Sequence, residues 1–327
     1  MIGPSPEPSL VESRGAPDLT AAVAALLRYF HRQSPIRGGS LLITIFGDSI
    51  APRAGAISLR SLIDLARPFG LAERLVRTSV ARLASDGWLV ARRDGRRSEY
   101  RLAPGGQQRF AAATRRIYGE IPSSWDGQWT LLVLPPAAGG RSQIVRDELR
   151  WLGFGQVSPG VFAHPSWSVA EARTELNDVD GVAHGLLFKS ASEGSEADRR
   201  LVATGWDLGE LARRYRKFIA TFTPLASAAI PGEIGCEAAF VIRTLLIHEY
   251  RKIHLQDPLL PPALLPADWV GATAYDLSKR LYSAVFTAAE DYLSAIASTM
   301  SAPLPPVSAV TYERFGGLTR RDTQPPR

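Results

Sequence analysis

The sequence has little of several features that define other classes of protein. Its 327 residues include one cysteine, Cys236, so an internal disulfide is excluded. No stretch approaches the roughly 18 consecutive apolar residues of a membrane span, and residues 1–18 are rich in proline and acid where a signal peptide would be basic and then apolar. With 45% hydrophobic residues, the chain can fill about two or three domain cores. We therefore expect a multidomain cytoplasmic protein that does not contact a membrane.

Lysine is also scarce, since 34 of the 38 basic residues are arginine, which by itself could reflect genomic base composition. The position of the arginines is more informative. Between Arg37 and Arg116 there are 15 Arg, no Lys and 6 acids, a balance of +9. Because the whole chain carries +6, the remainder sums to −3. A basic segment attached to a mildly acidic remainder is typical of a nucleic-acid-binding protein with a second function elsewhere.

Hydrophobic periodicity and turn residues predict an α+β multidomain chain that begins with a winged helix-turn-helix. The elements predicted for this part are a helix over 18–32 capped by Asp18, a helical segment over 40–50, a helix from Ser58 ending before Pro68, a helix over 72–86, and strands over 88–92 and 98–102 joined by a turn containing Asp94-Gly95. Helix, helix, short turn, helix and hairpin is the winged-helix order.

The rest of the chain divides into an α+β part and a helical part. The α+β elements predicted are a strand over 128–134, a helix over 142–152, a strand over 157–163, a helix from Val169 and a strand over 182–189, which suggests a ferredoxin-like domain with its fourth strand unassigned. Helices are predicted over 207–222, 236–255 and 272–298. The resulting domains are a flexible tail (1–17), an additional helix (18–36), the winged helix (37–121), the ferredoxin-like domain (122–205), an all-α domain (206–300) and a second flexible tail (301–327).

The helix over 72–86 has an apolar side and a basic side. The core side carries Leu75, Val76, Ser79, Val80 and Leu83, and the opposite side carries Arg74, Arg77, Thr78, Ala81 and Ser85, with Arg82 near the edge. A recognition helix needs this division, because its own domain holds one face while the other enters the major groove, where arginine can donate two hydrogen bonds to guanine.

The predicted hairpin adds a second basic element. Arg92, Arg93, Arg96 and Arg97 flank its turn, and Tyr100 follows on the returning strand. A cationic hairpin suits phosphates or a narrow minor groove, although an isolated one is more often only a solvated loop. Helix and hairpin together predict DNA binding through Arg74, Arg77, Thr78, Arg82, Arg92, Arg93, Arg96, Arg97 and Tyr100.

The run from Leu41 to Tyr100 resembles the PaaX family of bacterial transcriptional repressors, which regulate the catabolism of phenylacetate and related aromatic acids. The resemblance continues through ELRWLGFG (148–155), SPGVFAHP (158–165), HEYRKI (248–253) and DPLLPPALLPADWVG (257–271), and covers about Gly38 to Ser298. The family commonly starts near the position of Gly38, so the helix before it is additional; it could alter docking or only decorate the surface.

The resemblance implies a homodimeric repressor that binds palindromic double-stranded promoter DNA and is released by phenylacetyl-coenzyme A rather than by free phenylacetate. It also implies a central domain similar to the Cas2 proteins and a C-terminal helical domain that takes part in dimerisation and effector response. A pocket for an acyl-coenzyme A needs basic side chains beside an apolar, aromatic slot. Candidates in the helical domain are Arg213, Tyr215, Arg243, His248, Arg251 and Lys252. A regulator that answers to a different aromatic or acyl-coenzyme A ligand stays open as an alternative.

The sequence offers little support for catalysis or for a bound metal. His248 and His254 are six residues apart, so they do not share a helix face as zinc ligands do. A Cas2-like nuclease would need an acidic residue at the end of the first strand of the central domain, where this chain has Pro135 and Pro136. Cys236 lacks the setting of a nucleophile. We therefore expect no enzyme, no cofactor and no metal site, with a metal-dependent nuclease as a remote alternative.

Overall fold

The computed structural model describes residues 18–33, 38–53, 55–121, 124–135, 142–177, 179–230 and 232–318. The tail predicted over 1–17 lies outside the described residues. No helix in the described ranges is long and apolar enough to span a bilayer.

The N-terminal domain is a winged helix. Its elements are α1 (Leu19–His31), α2 (Gly38–Ile45) continued by a π-helical turn (Phe46–Ile50), β1 (Ala56–Ser58), α3 (Leu59–Ala66), α4 (Glu73–Ser85), β2 (Leu89–Asp94), β3 (Arg97–Leu102) and α5 (Pro104–Tyr118). The hydroxyl of Ser58 caps α3 by accepting a hydrogen bond from the Ser61 amide at 3.1 Å. Gly70 takes a left-handed φ of 69° in the turn between α3 and α4, and Gly95 takes φ 56° at the hairpin tip. The predicted winged-helix order is confirmed, whereas β1 and α5 were not predicted.

The central domain contains a four-stranded antiparallel sheet in the order β5-β6-β4-β7. Its elements are β4 (Trp129–Val133), α6 (Ser142–Trp151), β5 (Gly155–Ser158), β6 (Val161–His164), α7 (Val169–Leu176), β7 (Leu186–Ser190) and α8 (Ser195–Gly205). The single strand predicted over 157–163 is wrong: Pro159-Gly160 breaks it into the hairpin β5–β6, with Gly160 at φ 76°. This hairpin supplies the unassigned strand, and the ferredoxin-like prediction is confirmed.

One strand and one helix of this domain also differ from the prediction. β7 begins at Leu186 rather than 182, because Val182 is buried against α6 and α7 before the strand starts. α8 was not predicted; it covers part of the other sheet face, where Val202 and Trp206 pack on Trp129.

The C-terminal domain consists of α9 (Leu208–Ala228), α10 (Cys236–His254) and α11 (Gly271–Ile296). α9 runs six residues past its predicted end and contains Pro224. The three helices share one continuous apolar core with the winged helix and with α1. Leu26 and Phe30 of α1 are buried in it, so the additional helix is a structural part of the core rather than a surface decoration.

The flexible tail predicted over 301–327 is wrong for residues 301–318, which fold back onto the core. Ala309–Gly316 forms a short 3-10 helix, and Leu304, Phe315 and Leu318 are buried. The segment starts with several prolines, which are typical of a flexible tail. Its contacts could not be predicted, because they come from residues far away in the chain. We call residues 309–318 the C-terminal clasp.

A buried charge network fastens the C-terminal clasp to the winged helix. Asp48, on the π-helical turn, accepts hydrogen bonds from Tyr118 at 2.7 Å, Tyr282 at 2.8 Å and Arg314 at 3.0 Å. The guanidinium of Arg243 lies 2.9 Å from its other carboxylate oxygen. Burial alone would raise the pKa of Asp48, but Arg243 and Arg314 outweigh it and the pKa lies below its ordinary value. We refer to these five residues as the Asp48 network.

Candidate nucleic-acid interface and ligand pocket

Helix α4 divides into a buried and an exposed face as its sequence predicts. Val76, Ser79, Val80 and Leu83 are buried, while Arg74, Arg77, Thr78 and Arg82 are exposed. The Thr78 hydroxyl donates to the Arg74 carbonyl oxygen at 2.9 Å, and Arg82 lies 3.8 Å from Asp86. The helix therefore presents three arginines on a face that its own domain does not cover.

The hairpin β2–β3 projects beside this face as a basic wing. Arg92, Arg93, Arg96 and Arg97 are exposed, and within the described ranges none of them forms a hydrogen bond or ion pair with another side chain. Tyr100 is different: it is only 8% exposed and packs in the core, paired across the sheet with Ile57. The prediction that Tyr100 contacts DNA is therefore wrong, because its side chain faces the core. Strand alternation alone did not reveal which way this side chain points.

A groove of about 320 Å³ lies between the start of α3, the first turns of α4 and the wing; Arg74, Thr78 and Arg82 of α4 do not line it. Four arginines line it: Arg60 from α3, Arg77 from α4, and Arg96 and Arg97 from the wing. We call it the arginine groove. Its positive charge and its position between recognition helix and wing suit a DNA backbone and a major-groove edge. The helix-turn-helix pattern points to α4 and the wing, so it did not predict Arg60, which lies on α3.

The C-terminal domain also reaches this groove. Residues 298–300, which follow α11, form part of its lining. The Ser298 carbonyl oxygen accepts from the Ser58 amide at 2.9 Å, and the Met300 amide donates to the Glu99 carboxylate on β3 at 3.1 Å. A shift of α11 would therefore move Ser58, the N-cap of α3, and Glu99 on the wing.

The six residues predicted to bind an effector do not meet in one cavity. Arg243 belongs to the Asp48 network and is fully buried. Tyr215 and His248 are buried too: the Tyr215 hydroxyl donates to Asp257 at 2.7 Å, and the His248 ring bonds the Thr44 hydroxyl at 3.0 Å. Arg213 pairs with Glu210 and Lys252 with Glu249, each at 2.7 Å. Burial in the core leaves Arg243 and His248 almost no accessible surface for a ligand.

Arg213 and Lys252 line one polar groove of about 310 Å³, and Tyr215 lines a separate cavity of about 280 Å³. Arg251 lines a larger and mainly apolar cavity. The cavity measures about 370 Å³ and lies where all three domains meet; we call it the three-domain pocket. The first domain supplies three aromatic side chains to its lining: Trp88, and Phe110 and Tyr118 on α5. The central domain supplies Trp151. Arg109 stacks over the Trp88 ring at 5.1 Å, and Arg251 donates to the Thr44 hydroxyl and to Ser40, each at 2.8 Å.

The three-domain pocket fits a ligand with an aromatic end and an anionic part. Its volume falls within the range of small-molecule sites, and two guanidinium groups lie beside an aromatic slot. Sequence patterns could not reveal it, because its lining comes from α2, α5, α6 and α10, and α5 itself was not predicted. Asp48 and Tyr118 line it as well, so an occupant would touch the Asp48 network.

Each of the three domains matches a model of a known protein family. The family model described as PaaX-like protein matches residues 37–106, the PaaX protein central Cas2-like domain matches 122–202, and the PaaX-like protein C-terminal domain matches 206–295. The Transcriptional repressor PaaX of Escherichia coli (strain K12) is 38% identical over 290 residues, which is 87% of this chain and 92% of that protein. A solved structure, Uncharacterized protein Rv0674 from Mycobacterium tuberculosis, is 22% identical with a TM-score of 0.45, and covers 70% of this chain and 89% of its own.

Proposed function

The chain belongs to the PaaX-like protein family, and from that premise we propose that it represses transcription by binding double-stranded promoter DNA through the arginine groove. Family membership also confirms that the chain is a regulator and not an enzyme, which removes the metal-dependent nuclease alternative. As a DNA-bound regulator it acts in the cytoplasm.

The observation that carries this proposal is the convergence of Arg60, Arg77, Arg96 and Arg97 on one groove. In a helix-turn-helix the first turns of the recognition helix reach base edges, and Arg77 lies on the second turn of α4. Arg96 lies at the wing tip, where a long cationic side chain reaches phosphates. Arg77 thus reads sequence, and Arg96 fixes the position of the domain on the backbone.

Binding of the purified protein to DNA that flanks its own coding sequence tests this proposal. Arg77→Ala should weaken specific binding by about 1–3 kcal/mol, whereas Arg96→Ala should weaken binding to all sequences and lower the salt slope by about 1. Arg213→Ala is the matched control, since Arg213 is an exposed helical arginine far along the chain from the groove. Wild-type affinity of both groove variants at every salt concentration would show that DNA binds elsewhere.

The effector we propose is phenylacetyl-coenzyme A, with its aromatic acyl end in the three-domain pocket. The aromatic lining supports the phenyl end, and Arg109 supports the coenzyme phosphates at the mouth. Because residues of all three domains line the pocket, a bound ligand favours a different domain arrangement, in which paired winged helices no longer match their half-sites.

Release of bound promoter DNA by phenylacetyl-coenzyme A, and not by phenylacetate, is the expected result. Ala113→Trp, which fills the pocket from α5, should bind DNA normally and no longer respond. Arg213→Ala should respond like the wild type. A normal response of Ala113→Trp would mean that the ligand binds elsewhere, and release by a different aromatic acyl-coenzyme A alone would favour the alternative ligand.

We also propose that the protein acts as a homodimer, paired through the central domain. β7 is an edge strand, and Leu186 and Phe188 on it are 60% and 48% exposed beside the half-buried Val133 of β4. An apolar patch on an unpaired sheet edge is costly in water unless a second surface covers it, and a second copy supplies the same patch.

Light scattering of the purified protein measures this directly. Phe188→Asp should give monomers and a lower affinity for DNA with two half-sites. Ile144→Asp is the control, since Ile144 is 66% exposed on α6, away from the sheet edge, and should leave the dimer intact. A dimer that survives Phe188→Asp would place the interface on another surface.

A further inference from the structure

Glu73 is an acidic residue in a surface otherwise suited to phosphates. It opens α4 and, of the described residues that line the arginine groove, it is the only acid. A carboxylate facing the DNA backbone would lower affinity through charge repulsion. Its presence at this position therefore needs a reason other than affinity.

The contact that Glu73 makes supplies that reason. One carboxylate oxygen of Glu73 accepts from Nε of Arg77 at 2.8 Å and lies 2.7 Å from Nη2 of the same guanidinium. This occupies one edge of the guanidinium fork and leaves the Nη1 side free. The free edge is the part that donates in parallel to O6 and N7 of guanine.

Fold stability does not account for the pair. Both side chains are more than half exposed, 55% for Arg77 and 57% for Glu73, and such surface pairs contribute little to the free energy of folding. The pair has a different effect. Because Glu73 already holds the guanidinium of Arg77, less side-chain entropy is lost when Arg77 forms a bidentate contact with a base, and Arg77 can approach the base in fewer orientations.

We infer that Glu73 is a specificity-determining residue of the DNA interface: it positions Arg77 to read a guanine, and its negative charge penalises DNA in which Arg77 finds no such partner. This inference rests on the proposed function of the arginine groove. Negative charge that disfavours wrong partners is a general route to specificity, because discrimination is a difference between two affinities.

Enrichment of bound sequences from a library of randomised double-stranded DNA, with the full chain, tests the inference. The wild type should enrich a motif with a guanine in each half-site. Glu73→Gln keeps the size of the side chain and removes its charge; it should lower the preference for that guanine on the order of tenfold and raise affinity for unrelated DNA. Arg77→Ala should lose the preference at the same position.

Asp147→Asn is the matched control, because it removes the carboxylate of another exposed ion pair, that with Arg150 on α6, outside the groove. Its motif should equal that of the wild type. If Glu73→Gln enriches the wild-type motif while Arg77→Ala does not, the role assigned to Glu73 is wrong and DNA binding by the groove stands. If the wild type enriches no motif, the proposed function fails. An unchanged melting temperature verifies that Glu73→Gln is folded, and Glu73→Asp, which retains the charge, should preserve most of the preference.

Discussion

Replacing Asp48 by asparagine should destabilise the protein more than any single surface change. The substitution keeps the shape of the side chain and removes the charge that Arg243 and Arg314 face. Arg243 retains Glu290 at 2.6 Å. The partners that Arg314 keeps among the described residues carry no charge: the Asp48 carbonyl oxygen, the Tyr282 hydroxyl and the Tyr118 ring. Breaking a buried ion pair from one side typically costs 3–5 kcal/mol, and we expect a loss of about 3–5 kcal/mol in the free energy of unfolding at pH 7.

Replacing Arg314 tests the ion pair between Arg314 and Asp48 from its other side. Arg314→Met keeps an apolar stem over the Tyr118 ring and leaves Asp48 with Arg243 and two tyrosine hydroxyls, so it should cost about 2–3 kcal/mol. The double variant should cost less than the sum of the two, with a coupling of about 1–3 kcal/mol. Asp147→Asn, at an exposed pair with Arg150, should cost less than about 1 kcal/mol.

Urea unfolding followed by tryptophan fluorescence measures these differences. Because the pKa of Asp48 lies below its ordinary value, the carboxylate is ionised in the folded and unfolded states from pH 7 to pH 5. The cost of Asp48→Asn should therefore be the same at both pH values and decline only in stronger acid. A cost below about 1 kcal/mol, or one that changes between pH 7 and 5, would refute the assigned charge state and the stabilising role of the Asp48 network.

Three further predictions concern other parts of the fold. Burial lowers the pKa of His164 to about 3, that of His254 to about 4, and that of His248 well below its ordinary value, so only the unfolded state binds these protons below about pH 6.5. The free energy of unfolding should then fall with decreasing pH by roughly 1.4 kcal/mol per unit for each histidine, and a flat profile from pH 6.5 to 4.5 would contradict this. Gly95→Ala should cost about 1–2 kcal/mol through its left-handed φ, measured by thermal unfolding, whereas Gly95→Asn should cost less. Phe30→Ala should cost about 3–5 kcal/mol in urea unfolding if α1 completes the core, and a loss below 1 kcal/mol would show that α1 is dispensable.

Local patterns were sufficient for the recognition helix and the wing. The two faces of α4 follow from helical periodicity alone, and Asp94-Gly95 marks the hairpin turn without any tertiary information. α5 escaped prediction because it opens with Pro104-Gly105-Gly106, and two glycines at a helix start weaken the periodic signal. β1 is only three residues long and exists through its pairing with β3.

The ligand site could not be predicted for a different reason. Arginine and histidine on α10 looked available for an anion, yet Arg243 and His248 face the core, where Asp48 and Thr44 from the winged helix satisfy them. Those partners lie about 200 residues away in the chain, and no local pattern encodes such a pairing. The same holds for the three-domain pocket, whose walls exist only after the domains have packed together.

The C-terminal clasp has a consequence for how the protein is made. Arg314 follows Asp48 by 266 residues, and a ribosome adding about 5–20 residues per second needs on the order of 10–50 s to synthesise the intervening chain. During that interval the nascent winged helix carries its carboxylate without its last partner. A chain that stops shortly before residue 309 would contain the arginines of the arginine groove but would lack the residues that complete this core. Residues 309–318 therefore complete the core of a domain that the ribosome synthesises well before them.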